Sequence, residues 1–437
     1  MQRTQKGSVM AFAVFIASAR RPSISLFATA SRSASSNIRT MATSSSSSSA
    51  DDNTTSMPTS TSPYHTVAIT GASGMLGTAL IDELSKMKDG LCGKPIRVVK
   101  LQRGDSTEDD ELVATNTSSI HTDTDTDTDI DTDTDTNEMV TTSMNWNPHA
   151  DGSSSSSSAI NANALKSIDS LVHLAGENVG SGLLPGPLGW LGIHAWSQKK
   201  KDIILSSRVG PTKALASAIA GCETSTNYIV ASGVGVYGSD FMEGDDNEES
   251  LSSSSSSSPD ESTDISHTTG FLADVSREWE GASALPTNSD NRAINLRLAP
   301  ILSKNGGALG KLYPIFFLGG GGIVGSGKQY FSYISARDAA RAIVHVMEKD
   351  SLKGPVNLVA PTPATNADFT HALGKILKRP TIIPLPAFAV KLMFGEMGEE
   401  MLLGGVKAAP KKLLKSGFEF QHETIEDALQ SAVDESI

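Results

Sequence analysis

The chain predicts an α/β fold built on a doubly wound parallel sheet, and three features of its 437 residues carry that prediction. Short β-branched apolar runs alternate with stretches of helical period. The first run ends in a glycine-rich turn, TGASGMLG (70–77), that leads directly into a helix. The long polar insertions fall after strands or in loops, where added length is tolerated.

The elements follow in order. TVAIT (66–70) reads as a buried strand, GASGMLG as its turn, and the apolar-periodic stretch to Met87 as a helix. IRVVKLQ (96–102) is a second strand ending at Arg103, and SLVHLAG (170–176) a third that closes on a glycine. A helix from about His194 to Ala220 leads into the strand NYIVASG (227–233). FLADVSREWE (271–280) is helical, and the strand RAINLRLA (292–299) follows it. Asp338 suits the N-terminal turn of a later helix, where its charge complements the macrodipole.

Much of the length lies outside this core. Residues 1–50 hold five Arg, one Lys and many Ser but no Asp or Glu, the balance of an organelle-targeting presequence, plastid or mitochondrial. The short apolar run Val9–Ala17, followed by small residues, also fits a signal peptide. Between Asp105 and Glu138 there are thirteen acids and no Lys or Arg, with Thr and Asp alternating from Thr122 to Thr136. Such a run buries too little apolar area to offset chain entropy. Its thirteen charges equal the net charge of −13, so the rest of the chain sums to zero. A second polar insertion, 240–269, contains seven consecutive Ser. The organisation expected is a leader and linker over 1–62, a nucleotide-binding sheet with a substrate lobe over 63–380, disordered insertions at 104–142 and 240–269, and a small C-terminal domain over 381–437.

Composition narrows the function. Two cysteines, Cys92 and Cys222, are too few for a disulfide framework, and the nine His show no metal-ligand spacing. No apolar run is long enough to span a membrane, and no basic stripe with interleaved aromatics points to nucleic acid.

The turn itself points to chemistry. Gly71, Gly74 and Gly77 sit at GxxGxxG spacing between strand and helix. The first glycine permits the tight turn, the second lets the backbone approach a pyrophosphate, and the third lets the helix pack on the strand. The bland alternative is a flexible turn. At the end of the second strand, where an acid would bind the ribose hydroxyls of NAD, the chain has Gln102 and Arg103. A guanidinium there matches a 2′-phosphate, which favours NADP(H), with Lys100 able to share the role. The alternative is an ordinary solvated arginine.

TGASGMLG, HLAGENV (173–179) and ASGVGVYG (231–238), in that order, resemble the extended short-chain dehydrogenase/reductase superfamily. The match is nearer to its atypical NADP-binding "epimerase family" branch, also labelled cell-division-inhibitor-like in plants. Further support comes from KKDIILSSRVGPTKAL (200–215) and from the glycine-rich and C-terminal segments, so the likeness covers most of the chain from Thr66 to about Ala432 outside the insertions. The resemblance implies a Rossmann-type sheet, a smaller substrate lobe, a small terminal helical domain, and a small carbonyl or hydroxyl compound as substrate. It assigns the dinucleotide to Gly71, Ser73, Gly74, Met75, Leu76 and Gly77, to Gln102 and Arg103, to Leu174, Ala175 and Gly176, and to Arg208.

It also exposes a loss. Active members carry, on the helix of FLADVSREWE, a Tyr and four residues later a Lys that lowers the phenol's pKa. Those places hold Phe271 and Val275, neither of which transfers a proton. Ser232 and Tyr237 are the remaining candidates to polarise a carbonyl, with strand termination and cleft packing as their alternatives; Glu177, which the resemblance places beside the nicotinamide end, is a further candidate acid, with helix capping or loop bracing as its alternative. Two functions stay open: an oxidoreductase or epimerase with a substituted acid–base group, and a nucleotide-binding sensor or scaffold without turnover. A part in organelle division rests on the family label alone.

Overall fold

A computed structural model of the chain describes residues 62–104, 139–149, 159–180, 196–222, 224–238, 258–287 and 290–435. The presequence, the alternating Thr-Asp run and most of the serine run lie outside the described residues.

Seven strands form one parallel sheet. In chain order they are β1 (His65–Thr70), β2 (Ile96–Arg103), β3 (Val140–Trp146), β4 (Ser170–His173), β5 (Asn227–Gly233), β6 (Arg292–Leu298) and, further on, β9 (Gly354–Leu358). They lie side by side as β3-β2-β1-β4-β5-β6-β9. The order reverses direction between β1 and β4, which opens a crevice at their carboxyl ends, the place where doubly wound sheets bind ligands.

Both faces are covered, as a parallel sheet requires. Successive β1 side chains divide between them: Val67 and Ile69 enter the core beneath α1 (Met75–Ser85) and α6 (Ala336–Glu348), through Leu80, Leu84, Ile343 and Val346. Ala68 enters the opposite core, with Leu215 and Ile219 of α3 (Gln198–Ala220) and Trp279 of α4 (Phe271–Ala282). The short α2 (Ala162–Leu165) adds Ala164 and Leu165 to that second layer.

A smaller lobe rises at the carboxyl side. The two-residue strands β7 (Ile301–Leu302) and β8 (Ile334–Ser335) pair with each other, and α5 (Gly307–Phe317), α7 (Asn366–Leu377) and α10 (Ile425–Asp434) close around Leu309, Phe316, Phe369, Leu373 and Leu429. Between α7 and α10 run α8 (Ala387–Gly398), a π-helical turn (Glu399–Leu403) and α9 (Lys411–Lys415). The stretch from 381 onward joins existing cores: Leu413 and Phe418 belong to the main core, Ile425 and Leu429 to the lobe.

The structure differs from the sequence reading at two insertions. Val140 to Thr142, expected in the acidic insertion, begin β3, which pairs with β2 along its whole length and buries Thr142, Met144 and Trp146. Residues 258–269, expected to be disordered, are held by their acids. Asp260 pairs with Lys411, and Glu261 accepts from the backbone N–H of Asn357 at 3.1 Å and of Lys412 at 3.2 Å. Asp338 stands in the first turn of α6, as expected, but it is fully buried and also accepts from the amides of Gln421 and His422 and from Arg341. Its carboxylate therefore fixes the C-terminal chain on α6.

Candidate functional site

The crevice is built from three strand ends. β1 delivers the glycine loop, β2 delivers Gln102 and Arg103, and β4 delivers Leu174, Ala175 and Gly176. Gly71 adopts φ +69°, and a Cβ on it would lie 3.1 Å from Ala175 N, so the β1 and β4 loops touch backbone to backbone. A Cβ on Gly77 would lie 2.4 Å from Gly71 O and 2.8 Å from Ala72 Cα. Gly77 is therefore the packing glycine, and it is buried.

Gly74 is exposed and different in kind: a Cβ on it would meet only Gly71 O, at 3.2 Å, and otherwise open space. It is the N-cap of α1, where no side chain among the described residues caps the helix and no acid stands in the first turn. Gly74 N donates to Gly71 O at 2.9 Å and the first helical hydrogen bond runs from Thr78 N to Gly74 O at 2.8 Å, which leaves the amides of Met75, Leu76 and Gly77 for an outside acceptor. That is the chemistry of an anion cradle, and it fits a dinucleotide pyrophosphate.

The remaining assigned residues divide. Ser73 is exposed on the loop, while Leu76 is buried in the main core. Met75 packs toward the lobe, with Gly306 close to its Sδ, so a Cβ on that glycine would sit 3.3 Å away. Gln102 and Arg103 are exposed at the edge of the crevice beside Ser143 and Asn145 of β3, and Arg103 has no ion pair among the described residues. Arg208 is buried; it donates to Glu177 O at 2.8 Å and Ile204 O at 3.0 Å and lies over the Trp279 ring. It braces the loop after β4, with Gly176 close to its guanidinium. Glu177 is engaged too, accepting from Lys200 Nζ at 2.6 Å.

Sequence reasoning missed the hydrogen bonds beneath this loop. Thr70 Oγ1 accepts from the amides of Leu174 (3.2 Å) and Ala175 (3.3 Å) and lies 2.7 Å from His173 Nδ1. The hydroxyl has one proton to give, so Nδ1 accepts it and the neutral imidazole carries its own proton on Nε2. Nε2 is buried without a hydrogen-bond partner among the described residues, and the ring packs edge-on against Trp146. Burial, reinforced by Arg208, pushes the His173 pKa down to about 3.

The linkage has a definite sign. The unfolded imidazole takes up a proton below its ordinary value of 6.5 and the folded one only near 3, so its contribution is intact above 6.5 and falls as pH drops between those values. The expected loss is about 1.4 kcal/mol per pH unit. Urea unfolding from pH 7 to pH 4 checks it, since His173→Asn should flatten the acid limb; an unchanged slope contradicts it.

Ser232 and Tyr237 are brought together, but not as free groups in the crevice. Ser232 Oγ donates to Glu280 Oε1 at 2.9 Å. Arg297 binds both Glu280 oxygens at 2.8 and 2.9 Å and donates to the Tyr237 hydroxyl at 3.0 Å, which donates to Asn357 Oδ1 at 2.8 Å. Burial pushes the Tyr237 phenol up to about 12. Both hydroxyls thus serve a buried network joining β5, α4, β6 and β9. No local pattern signals this network, because its partners lie up to 120 residues apart.

Phe271 opens α4 half-buried, its ring 4.9 Å from that of Trp196, and Val275 is buried one turn later. Among the described residues there is no group of three or more His, Cys, Asp or Glu able to hold a metal ion. No described helix is long and apolar enough to cross a membrane.

The chain is similar to several known proteins. A domain of unknown function (DUF1731) matches residues 385–432. An epimerase family protein of Mycobacterium leprae is 35% identical over 272 residues, 62% of this chain and 79% of that protein. The "SDR39U1 homolog, chloroplastic" of Arabidopsis thaliana, also an epimerase family protein, is 40% identical over 161 residues, 37% of this chain and 46% of that protein. Among solved structures, human epimerase family protein SDR39U1 with NADPH superposes with a TM-score of 0.62 at 26% identity, covering 84% of this chain and 99% of the other.

Proposed function

Since the chain belongs to the epimerase family of atypical short-chain dehydrogenases/reductases, we propose that it is an NADP(H)-binding protein whose nucleotide lies across the crevice between β1 and β4. The observation that carries this reading is the uncapped, acid-free start of α1 behind Gly74, with Arg103 exposed one strand away. The human relative crystallised with NADPH supports the choice of nucleotide.

In this reading the amides of Met75, Leu76 and Gly77 hold the pyrophosphate, and Arg103 with Gln102 holds the 2′-phosphate. Thr70 and His173 fix the β4 loop from below, and Arg208 fixes it from the α3 side. Bound NADP(H) would supply or accept hydride for a small carbonyl or hydroxyl compound. The superfamily's own proton carrier is missing, because Phe271 and Val275 stand in its places and the Ser232 and Tyr237 hydroxyls are held by Glu280 and Asn357. That observation favours a second reading, a nucleotide-responsive protein without turnover. An organelle, plastid or mitochondrion, is the proposed location, supported by the acid-free first 50 residues and by the relative named chloroplastic. Imaging a fluorescent fusion of residues 1–62 tests it, and a diffuse cytosolic signal would count against it.

Arg103→Ala is expected to weaken NADPH binding roughly tenfold and leave NADH binding unchanged, because only the 2′-phosphate is lost as a partner. Paired fluorescence titrations check this. Equal loss for both nucleotides would place Arg103 outside the 2′-phosphate site.

A further inference from the structure

The helix that lost its tyrosine is capped from far along the chain. Its N-cap, Gly270, has no side chain and adopts φ +110°, so α4 starts without a local acceptor for its first amides. Glu400 supplies both: Phe271 N donates to Oε1 at 2.7 Å and Leu272 N to Oε2 at 2.9 Å. A Cβ on Gly270 would stand 3.3 Å from the same carboxylate, so the glycine is set by position as well as by φ.

Glu400 does not act alone. Four residues earlier on α8, Glu396 accepts from Lys201 Nζ at 2.7 Å, and that ammonium lies 4.9 Å from the centre of the Phe271 ring. Trp196, just before α3, packs against the same ring, 4.9 Å between centroids, and donates its indole N–H to Val179 O at 2.9 Å. The backbone on either side of the two acids is shaped for the task. Gly395 takes φ +54° at a kink, and Gly404 ends the π-turn where a Cβ would lie 2.6 Å from Glu400 O. The buried Gln329 of the lobe donates to Leu402 O at 3.0 Å and holds the turn in place.

We infer that the segment matching the domain of unknown function is a clasp, with Glu400 the positioning residue that fixes the start of α4 and Glu396 the one that fixes α3, so that Phe271 and Lys201 are held together. Because this wall stands at the nicotinamide end only if the nucleotide binds as proposed above, the functional half of the inference rests on that reading. The structural half does not.

The test uses the full chain with Glu400→Ala, Glu400→Gln and Glu396→Gln. Hydrogen exchange of peptides covering 270–276 is followed with and without NADPH, alongside urea unfolding and the emission of bound NADPH. Glu400→Ala should speed exchange at the start of α4 roughly tenfold, the size of a lost cap, with peptides over 66–77 unchanged. Glu400→Gln, which keeps one acceptor oxygen, should fall between. Bound NADPH should change its emission in Glu400→Ala while its Kd moves less than about threefold, because phosphate contacts are untouched. If Glu400→Ala fails to fold, Glu400→Gln and Glu396→Gln carry the exchange measurement. Unchanged α4 exchange in the folded variants overturns the clasp. A wild-type chain that ignores NADPH sinks the nucleotide reading, while raised exchange in the variants would still support the clasp.

Discussion

Gly77→Ala should abolish saturable NADPH binding and lower stability by about 1–3 kcal/mol, the usual cost of overpacking a filled site. The new methyl would sit 2.4 Å from Gly71 O and 2.8 Å from Ala72 Cα, and both are backbone atoms that cannot swing aside. Relief requires α1 to move away from the loop, and the amides that cradle an anion move with it. Gly74→Ala is the contrast, because its methyl meets one oxygen at 3.2 Å and open space beyond. It should leave stability nearly unchanged and weaken the nucleotide alone. Urea unfolding and NADPH titration on both variants separate the two roles, and equal behaviour in both assays would contradict them.

Arg297→Met should cost about 3–5 kcal/mol, because it strands Glu280 beside β5 with no counter-charge. The pair is deeply placed, with side chains 3% and 11% exposed, and the guanidinium also donates to Tyr237. Replacing Glu280 and Arg297 together by Gln and Met should recover part of the loss, since the isolated buried charge is then gone. A double-mutant cycle by urea unfolding reads this directly, and additive losses would show that the two side chains act independently. Conserving the network matters for function as well as stability: it holds α4 against β5 and β6, and α4 carries Phe271.

Much of the fold was legible because its signals are local. The GxxGxxG spacing, the apolar runs of β1, β2 and β4, and the position of Arg103 each depend on a few adjacent residues, and the sheet places them at one crevice. Elements that depend on distant partners were not legible. β3 is a Thr-containing strand continuous in composition with the acidic insertion, and only its pairing to β2 makes it a strand. Asp260 and Glu261 look like part of a solvated Ser-rich loop until Lys411 and Lys412 arrive from 151 residues away. Ser232 and Tyr237 were read by their places in a motif, yet Glu280, Arg297 and Asn357 decide what their hydroxyls do. The role of Glu400 could be anticipated only in part: Gly270 before an apolar helix start signals a missing cap, but not which carboxylate fills it.

The most direct test of the account is a fluorescence titration of purified residues 62–437 with NADPH and with NADH. Saturable NADPH binding, with NADH at least about tenfold weaker, is the result expected from a pyrophosphate on the α1 amides and a 2′-phosphate on Arg103. Binding of neither nucleotide would contradict it and leave the crevice between β1 and β4 as a scaffold feature of a protein that works through its surface.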